Sequence, residues 1–338
     1  MKALTMAVLG SLIFFTGCDK TAKIPEPSAQ AKLKQPMQPI KIGYSDWPGW
    51  VAWQVAIEKG WFKDAGVEVD FKWFDYSASM NAFAANQLDA ISISNGDNLV
   101  IASGGTRGVM IMATDYSAGN DVIIAKAGIQ SVQDLKGKTI AVEKGLVDHN
   151  LLATALEDVN IQEHEVNLVN AVTNELPQVF ASSHVDAIAV WQPVANQALK
   201  NVAGAHIIYS SQDKPGLIYD TLSVNMSHLA KYPEEWKKII QVWDRTVRYI
   251  QDPATRQDAL NIMAKRVGIA PEQYEQFMNG THLLDLKANQ QVFKKSNTLT
   301  SIYGSTYHVN QFNLNHGVYE VKLDLDGLIY PQLVETLK

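Results

Sequence analysis

Short apolar runs alternate with amphipathic helical patterns along the chain from Ile40 onward. This alternation is typical of βαβ units and predicts an α/β protein with largely parallel sheets. The predicted strands are residues 40–44, 67–74, 90–93, 109–113, 122–125, 138–142, 166–169, 187–190, 206–209 and 222–224. The predicted helices include residues 51–59, 79–86, 150–159 and 233–251, the last with an apolar face of Ile239, Ile240, Val242, Trp243, Val247 and Ile250.

The first residues of the chain have a different pattern. Lys2 precedes an apolar run at residues 7–15 that is too short to span a bilayer, and small residues lead into Cys18. Residues 1–17 resemble a bacterial lipoprotein signal peptide, which implies that Cys18 is lipidated and becomes the mature N-terminus.

A tether is predicted to follow the lipidated cysteine. Residues 18–38 contain three Pro and four Lys with little apolar periodicity, which is typical of a flexible linker. Asp19 matches the inner-membrane retention signal of enteric-type lipoproteins. The sequence therefore predicts a folded body that is held beside a membrane through its lipid anchor only.

Composition limits the classes of function. The chain has 338 residues, of which 46% are hydrophobic and 19% charged, and its mean hydropathy is −0.10. These values exclude a disordered chain and a multi-span membrane protein. A net charge of −6 opposes nucleic-acid binding, and a single cysteine excludes an intrachain disulfide or a CxxC-type metal site.

The common catalytic motifs are missing from the sequence. It contains no GxSxG and no HExxH, and residues 137–139 lack the earlier glycine that a phosphate loop needs. The acids and histidine at residues 163–165 are expected to be solvated rather than to bind a metal. We therefore expect a protein that is not an enzyme and that uses no cofactor or metal.

Ligands of doubly wound α/β folds bind beyond the carboxyl ends of the strands. The segments expected there are rich in acids and aromatic rings, with Lys144 as their only base. Carboxylates beside Trp faces suit a small cation or a planar ligand with many N–H groups. The candidate ligand-binding residues are Asp46, Trp47, Asn95, Asp97, Asn174, Glu175, Trp191, Tyr219 and Asp220.

Several candidates also have a purely structural interpretation. Trp47 could pack against the turn that follows it. Asn95, Asp97 and Asn174 could cap helices, and Glu175 could lie in a first helical turn. Trp191 is the stronger candidate, because a large ring directly after a buried strand is an unusual choice for packing alone.

Longer motifs resemble the nitrate/sulfonate/taurine-type substrate-binding proteins of ABC importers. They are GYSDWPGW at residues 43–50, EKGWFK at 58–63, DLKGK at 134–138 and VWQP at 190–193. A second set is similar to the binding proteins linked to urea-carboxylase-type gene clusters, which handle guanidine, urea or similar nitrogen compounds. It comprises NGD at 95–97, VDH at 147–149, TNE at 173–175, GLIYD at 216–220 and YGST at 303–306.

This resemblance implies a periplasmic-binding-protein-like fold of type II, with two α/β lobes joined by two crossover strands. We place the crossings near residues 121–124 and 222–225. Lobe 1 then comprises residues 39–121 and 225–338, and lobe 2 comprises residues 122–224. The resemblance also implies an extracytoplasmic monomer that works with an ABC permease and an ATPase.

The resulting hypothesis is a receptor that closes on a guanidine- or urea-like ligand. The two tryptophans at 47 and 191 would flank the ligand, while Asp97, Glu175 and Asp220 accept its N–H groups and Asn95 and Asn174 orient it. One alternative is an anion such as taurine, an alkanesulfonate, nitrate or bicarbonate, for which Lys144 and Arg107 are the only obvious bases. Two further alternative functions are a pyrimidine-synthase-like enzyme and a sensory or scaffold lipoprotein without an importer.

Overall fold

A computed structural model of the protein describes residues 38–338. The predicted signal peptide, Cys18 and all of the tether except Gln38 lie outside the described residues. The strands are β1 (Ile40–Tyr44), β2 (Val69–Trp73), β3 (Ala90–Ser94), β4 (Gly108–Ser117), β5 (Asp121–Ala125), β6 (Thr139–Val142), β7 (Asn167–Asn170), β8 (Ala187–Trp191), β9 (His206–Ser210), β10 (Tyr219–Asn225) and β11 (Thr281–Leu283).

Helices connect and cover these strands. The α-helices are α1 (Pro48–Val51), α2 (Trp53–Glu58), α3 (Trp61–Asp64), α4 (Tyr76–Ala84), α5 (Asn95–Ser103), α6 (Val147–Asp158), α7 (Leu176–Ala181), α8 (Val194–Asn201), α9 (Met226–Lys231), α10 (Pro233–Gln251), α11 (Arg256–Val267), α12 (Pro271–Asn279), α13 (Leu286–Val292), α14 (Ile302–Asn315) and α15 (Gln332–Thr336). Short 3₁₀ helices are Val132–Leu135, Glu163–Glu165, Thr173–Glu175, Ser211–Asp213 and Asp326–Leu328. In this part of the chain no helix is both long and apolar enough to cross a bilayer.

The strands form two mixed sheets. The first has the order β11-β4-β10-β3-β1-β2, and its β1 runs parallel to β2 and β3. The second has the order β7-β6-β8-β5-β9, and its β6 runs parallel to β7 and β8. Two α/β lobes built around these sheets confirm the predicted fold class. The expectation of largely parallel sheets was wrong, because β5 and β10 each run antiparallel to both of their neighbours.

The chain passes between the sheets twice, from β4 to β5 and from β9 to β10. The first passage lies between Ser117, where β4 ends, and Asp121, where β5 begins. The second lies earlier than predicted, since β10 starts at Tyr219 and pairs antiparallel with both β3 and β4 of the first sheet. Residues 219–224, which the sequence assigned to lobe 2, therefore lie in the first sheet, because an apolar strand pattern does not specify its partners. The exact lobe boundaries stay a proposal.

The long helix predicted at residues 233–251 is confirmed as α10. Its apolar face is buried, and Trp243 packs against Trp53 of α2 with 4.4 Å between ring centroids. The Trp243 indole N–H also donates to the Leu284 carbonyl at 2.9 Å. The helices after residue 225 therefore complete the first lobe, because they bury the surface of α2.

Two segments that directly follow predicted strands, residues 94–97 and 114–117, are also regular structure. Strand β4 continues through Ser117, so that Asp115 lies inside a strand. Residues 95–97 form the first turn of α5, where the Ser94 hydroxyl accepts from the Asp97 amide at 3.0 Å. Polar residues interrupt the strand and helix patterns of both segments in the sequence. In the structure these polar side chains are buried and serve as caps and hydrogen-bond partners.

Candidate ligand-binding site

A small cavity lies where the two sheets face each other. Its volume is about 20 Å³, which is room for one water-sized group in this arrangement of the lobes. The first lobe contributes Ser94 at the end of β3 and Asp220 in β10, and the second contributes Asp121 in β5 and Trp191 at the end of β8. The full lining is Trp47, Trp50, Tyr76, Ser94, Asp121, Val147, Trp191, Ile218 and Asp220.

Aromatic rings from both lobes form the walls of this cavity. Tyr76 is the first residue of α4, and its ring centroid lies 5.2 Å from that of Trp50 and 5.4 Å from that of Trp191. The ring of Trp191 meets that of Tyr76 edge-on, at 88°. These contacts surround the cavity with π faces and edges, which favour a cationic or planar ligand.

Trp47 is held in place by a buried carboxylate. Its indole N–H donates to Asp115 Oδ1 at 2.8 Å, and the Thr114 hydroxyl donates to Asp115 Oδ2 at 2.9 Å. Gly49 makes this approach possible, because a Cβ atom there would lie 2.1 Å from Asp115 Oδ2. The turn at residues 47–50 thus fixes the ring of Trp47, one of the predicted ligand-binding residues.

Six aspartates with raised pKa values surround or back the cavity. Burial raises the pKa of Asp97 and Asp121 to about 7, and that of Asp115 and Asp46 to about 6. Burial and the neighbouring carboxylates raise the pKa of Asp148 and Asp220 well above the usual range. The common cause is loss of hydration without a compensating positive charge.

These six aspartates have no basic partner. None of them takes part in an ion pair within the described part of the chain, and no Lys or Arg lines the cavity. Asp121 Oδ2, Asp220 Oδ2 and both carboxyl oxygens of Asp148 are buried without a hydrogen-bond partner. Unpartnered buried carboxyls are costly, so the site is prepared to accept positive charge or N–H donors.

Three predicted site residues line the cavity, namely Trp47, Trp191 and Asp220. Asp97 stands behind it, where its carboxylate accepts from the Tyr76 hydroxyl at 2.7 Å and so positions that ring. Asp46 is partly buried beside Trp191 and does not line the cavity.

Two further candidates, Asn95 and Tyr219, connect structural elements. The Asn95 side-chain amide donates to Ser305 Oγ at 3.0 Å, and its oxygen accepts from the Tyr219 amide at 3.3 Å. The Tyr219 hydroxyl donates to the Leu299 carbonyl at 3.1 Å. Both residues join the first sheet to the segment around α14, because their polar atoms are already paired there.

Asn95→Ala is therefore expected to reduce stability more than binding. Loss of the Asn95 side-chain amide removes one hydrogen-bond partner from the Tyr219 amide and one from the Ser305 hydroxyl. We expect the free energy of unfolding to fall by about 1–3 kcal/mol. Urea denaturation measures this loss, and calorimetry on the folded protein should find ligand affinity within about threefold of the parent. Unchanged stability together with a large loss of affinity would instead make Asn95 a ligand contact.

The structure does not bring Asn174 and Glu175 to the cavity. Both are exposed in the 3₁₀ helix Thr173–Glu175. The neighbouring Thr173 is buried, and its amide and hydroxyl donate to Glu143 Oε2 at 2.9 and 2.8 Å. Glu143 also accepts from Ser77 of α4, so this carboxylate joins the two lobes beside the cavity.

Several residues of the site or its support were not chosen from the sequence, among them Trp50, Tyr76, Asp121 and Asp148. In the sequence, Asp121 and Asp148 are acids near the ends of predicted strands. That position does not distinguish a helix cap from a buried carboxyl group. Tyr76 could have been found from the sequence, because it follows β2 by three residues and the carboxyl ends of parallel strands meet at one edge of a sheet.

One further side-chain cluster contains metal-ligating groups. Atoms of His149, Glu163 and His316 lie within 4.8 Å of one another. The Gly145 amide donates to His149 Nδ1 at 3.0 Å, so His149 Nε2 carries a hydrogen and donates to Glu163 at 2.9 Å. His316 Nδ1 lies 2.6 Å from the same Glu163 oxygen, so the three side chains pair with one another and form a hydrogen-bonded link between α6 and the end of α14.

A larger cavity of about 1040 Å³ lies away from the interface between the sheets. Side chains of both charges line it, including Glu58, Lys63 and Arg266. Its walls come from β1, β2, α2 and α11 of the first lobe alone. We take the small cavity as the candidate site, because unpartnered buried groups of both lobes converge there.

Two α/β lobes that meet around a small cavity define the periplasmic-binding-protein fold. The model of the family described as "NMT1/THI5 like" matches residues 47–256, which is more than half of the chain. The chain belongs to this family.

Comparison with known proteins supports the same fold. The crystal structure of the periplasmic aliphatic sulphonate binding protein SsuA from Escherichia coli superposes with a TM-score of 0.71 at 18% identity, covering 89% of this chain and 100% of that one. A putative binding protein of Brucella abortus is 28% identical over 60% of this chain and 64% of its own length. A putative aliphatic sulfonates-binding protein of Bacillus subtilis is 27% identical over 57% and 60%. The match spans less than two thirds of both curated relatives.

Proposed function

We propose that this protein is the substrate-binding protein of an ABC importer and that it captures a small cation or planar ligand rich in N–H groups, such as guanidinium or urea. Two unpartnered carboxyl oxygens, one from each lobe, support this class of ligand. Asp121 of the second lobe and Asp220 of the first line the same aromatic cavity, and each has a buried carboxyl oxygen without a partner. A ligand with N–H groups on opposite sides would satisfy both.

Capture follows from the position of these groups on separate lobes. A ligand that first meets Asp220 in the open cleft gains contacts with Asp121 and Trp191 only when the second lobe closes. Its binding energy therefore shifts the population towards the closed form, which the importer would recognise. The Glu143 bridge between Ser77 and Thr173 would form in the same movement.

An anionic ligand is the main alternative, and the names of the sulfonate-binding relatives favour it. Such a ligand needs basic side chains or converging amides. The two bases considered from the sequence do not line the cavity, since Lys144 is exposed and Arg107 borders a different cavity. The chemistry of the lining therefore favours a cation.

The whole protein would work beside a membrane as part of a transport system. Lipidated Cys18 would anchor it on the outer face of the inner membrane, and its partners would be a permease and an ATPase. We propose a monomer without enzymatic activity. Turnover of a bound compound by the purified protein would favour the pyrimidine-synthase-like alternative, and a gene neighbourhood without a permease would favour a sensory or scaffold lipoprotein.

Isothermal titration of the purified protein with guanidinium, urea, taurine and nitrate tests the ligand class. We expect heat from guanidinium, weaker heat from urea and none from taurine or nitrate, because only the first two present N–H groups without negative charge. Saturable binding of taurine or nitrate, with no response to guanidinium, would overturn the proposal in favour of the anion.

A further inference from the structure

The first turn of α4 is a place where the first lobe touches the second beside the cavity. The ring of Tyr76 meets that of Trp191 edge-on, with 5.4 Å between the ring centroids. The next residue, Ser77, donates its hydroxyl to Glu143 Oε1. Trp191 ends β8, Glu143 directly follows β6, and these two strands are parallel neighbours. One helical turn of the first lobe therefore contacts two adjacent strand ends of the second.

Glu143 is held in position by its own lobe. Its Oε2 accepts from the Thr173 amide at 2.9 Å and from the Thr173 hydroxyl at 2.8 Å, and both residues are buried. These two bonds lie within the second lobe, so they do not depend on where the first lobe stands. The bond from Ser77 to the other oxygen joins two lobes, and it therefore depends on their arrangement.

Elsewhere the two lobes are joined by apolar packing. Leu99 of α5, Ala153 of α6, and Val309 and Phe312 of α14 form one buried cluster. Separating them would expose apolar surface to water, which costs free energy in proportion to the area. We therefore expect the cleft to open at α4, where the contacts border the cavity and include a polar bond that water can replace.

Ser77 can act on the ligand only through the position of the lobes. Neither Ser77 nor Glu143 lines the cavity. Ser77 is half-buried, and Glu143 is the partner to which its hydroxyl donates among the described residues. Removing this hydroxyl leaves the charge of Glu143 and its two bonds to Thr173 in place. Such a change would alter how the lobes meet without altering the lining of the cavity.

We propose that the Ser77–Glu143 hydrogen bond is a latch for the closed form, and that Ser77 is a positioning residue that slows release of the ligand without touching it. This inference rests on the proposed function. A bond made only in the closed form favours that form, and a ligand captured between the lobes is held more tightly by the same free energy. The ligand enters the open cleft, where the bond is absent, so the latch acts on dissociation rather than on association.

Ser77→Ala is expected to weaken guanidinium binding by about 5- to 30-fold, because it removes a hydrogen bond to a charged acceptor. The loss should appear as faster dissociation, with the association rate constant within about twofold of the parent. Stopped-flow fluorescence measures both rates, since the indole rings of Trp47 and Trp191 line the cavity. Thermal unfolding of the same samples shows whether the fold is intact.

Two further variants separate the latch from a merely structural role. Ser77→Thr keeps the hydroxyl and should return the dissociation rate to within about threefold of the parent. Ser103→Ala is the matched control, because it removes another half-buried helix hydroxyl, which donates to the Val100 carbonyl of its own helix at 2.7 Å. It should match the parent in both rates. Unchanged dissociation from Ser77→Ala, or a loss confined to association, would overturn the latch.

The latch and the ligand class are tested separately by repeating the measurement with urea, taurine and nitrate. Ser77 does not line the cavity, so faster dissociation is expected for whichever compound binds. Saturable taurine binding that dissociates faster from Ser77→Ala would support the latch and overturn the proposed ligand. Guanidinium binding with unchanged dissociation would overturn the latch and leave the proposed function standing. Binding of none of the four compounds would count against the proposed function and, with it, the latch.

Discussion

Asp220→Asn is expected to lower the affinity for guanidinium by about 2–5 kcal/mol, which is roughly 30- to 4,000-fold. Asp220 lines the cavity, is 3% exposed and has a carboxyl oxygen without a partner. The amide keeps the shape of the side chain but removes the negative charge that would face the cation. Titration calorimetry of the variant beside Glu320→Gln, a control at an exposed position, measures the loss, and affinity within about threefold of the control would contradict the assignment.

The same variant should not be less stable than the parent at neutral pH. Burial raises the pKa of Asp220 well above its usual range, so the folded protein loses stability relative to the unfolded chain as pH rises above the ordinary carboxyl pKa. Asparagine does not titrate and avoids this loss. Thermal unfolding at several pH values should therefore show an advantage for Asp220→Asn that grows with pH. Such a result separates loss of binding from loss of fold.

Gly49→Ala is expected to damage both the fold and the site. The new Cβ would lie 2.1 Å from Asp115 Oδ2 and 2.4 Å from Asp115 Cγ, and this fully buried carboxylate is held by Trp47 and Thr114. Relief of the overlap must displace the turn or break the Trp47–Asp115 bond. We expect the free energy of unfolding to fall by about 1–3 kcal/mol or more, and guanidinium binding to be lost with it.

Gly104→Ala is the matched control for this prediction. Gly104 is exposed after α5, its φ is −80°, and an added Cβ would meet nothing closer than the Ile101 carbonyl at 3.5 Å. Its stability in urea should lie within about 0.5 kcal/mol of the parent. A Gly49→Ala protein that matched this control in stability and binding would show that the contact with Asp115 does not constrain the turn.

The alternation of apolar runs and helical patterns was sufficient to predict the fold class. Helix α10 could be placed at both ends, because Pro233 starts it and its apolar face is continuous. The sheet that β10 joins could not be predicted, since its apolar residues would suit either sheet. Strand pairing depends on contacts between distant segments, which a local pattern does not contain.

The candidate site was predictable where a side chain lies at the end of a buried strand, as Trp191 does. It was not predictable for Asn174 and Glu175, whose resemblance to a motif says nothing of their exposure. Asp148 could equally have been a helix cap. Only the structure shows that its carboxyl group is buried and that neither oxygen caps the helix.

The small cavity between the two lobes makes the length of a ligand a criterion of selection. Compounds that carry the same head group on an alkyl chain could offer their N–H groups to Asp121 and Asp220, yet the chain would have to pass between Tyr76 and Trp191, whose rings meet edge to face. The lobes could not then reach their closed position. A cell that uses such a receptor would collect the smallest nitrogen compounds and leave their longer relatives to other transporters.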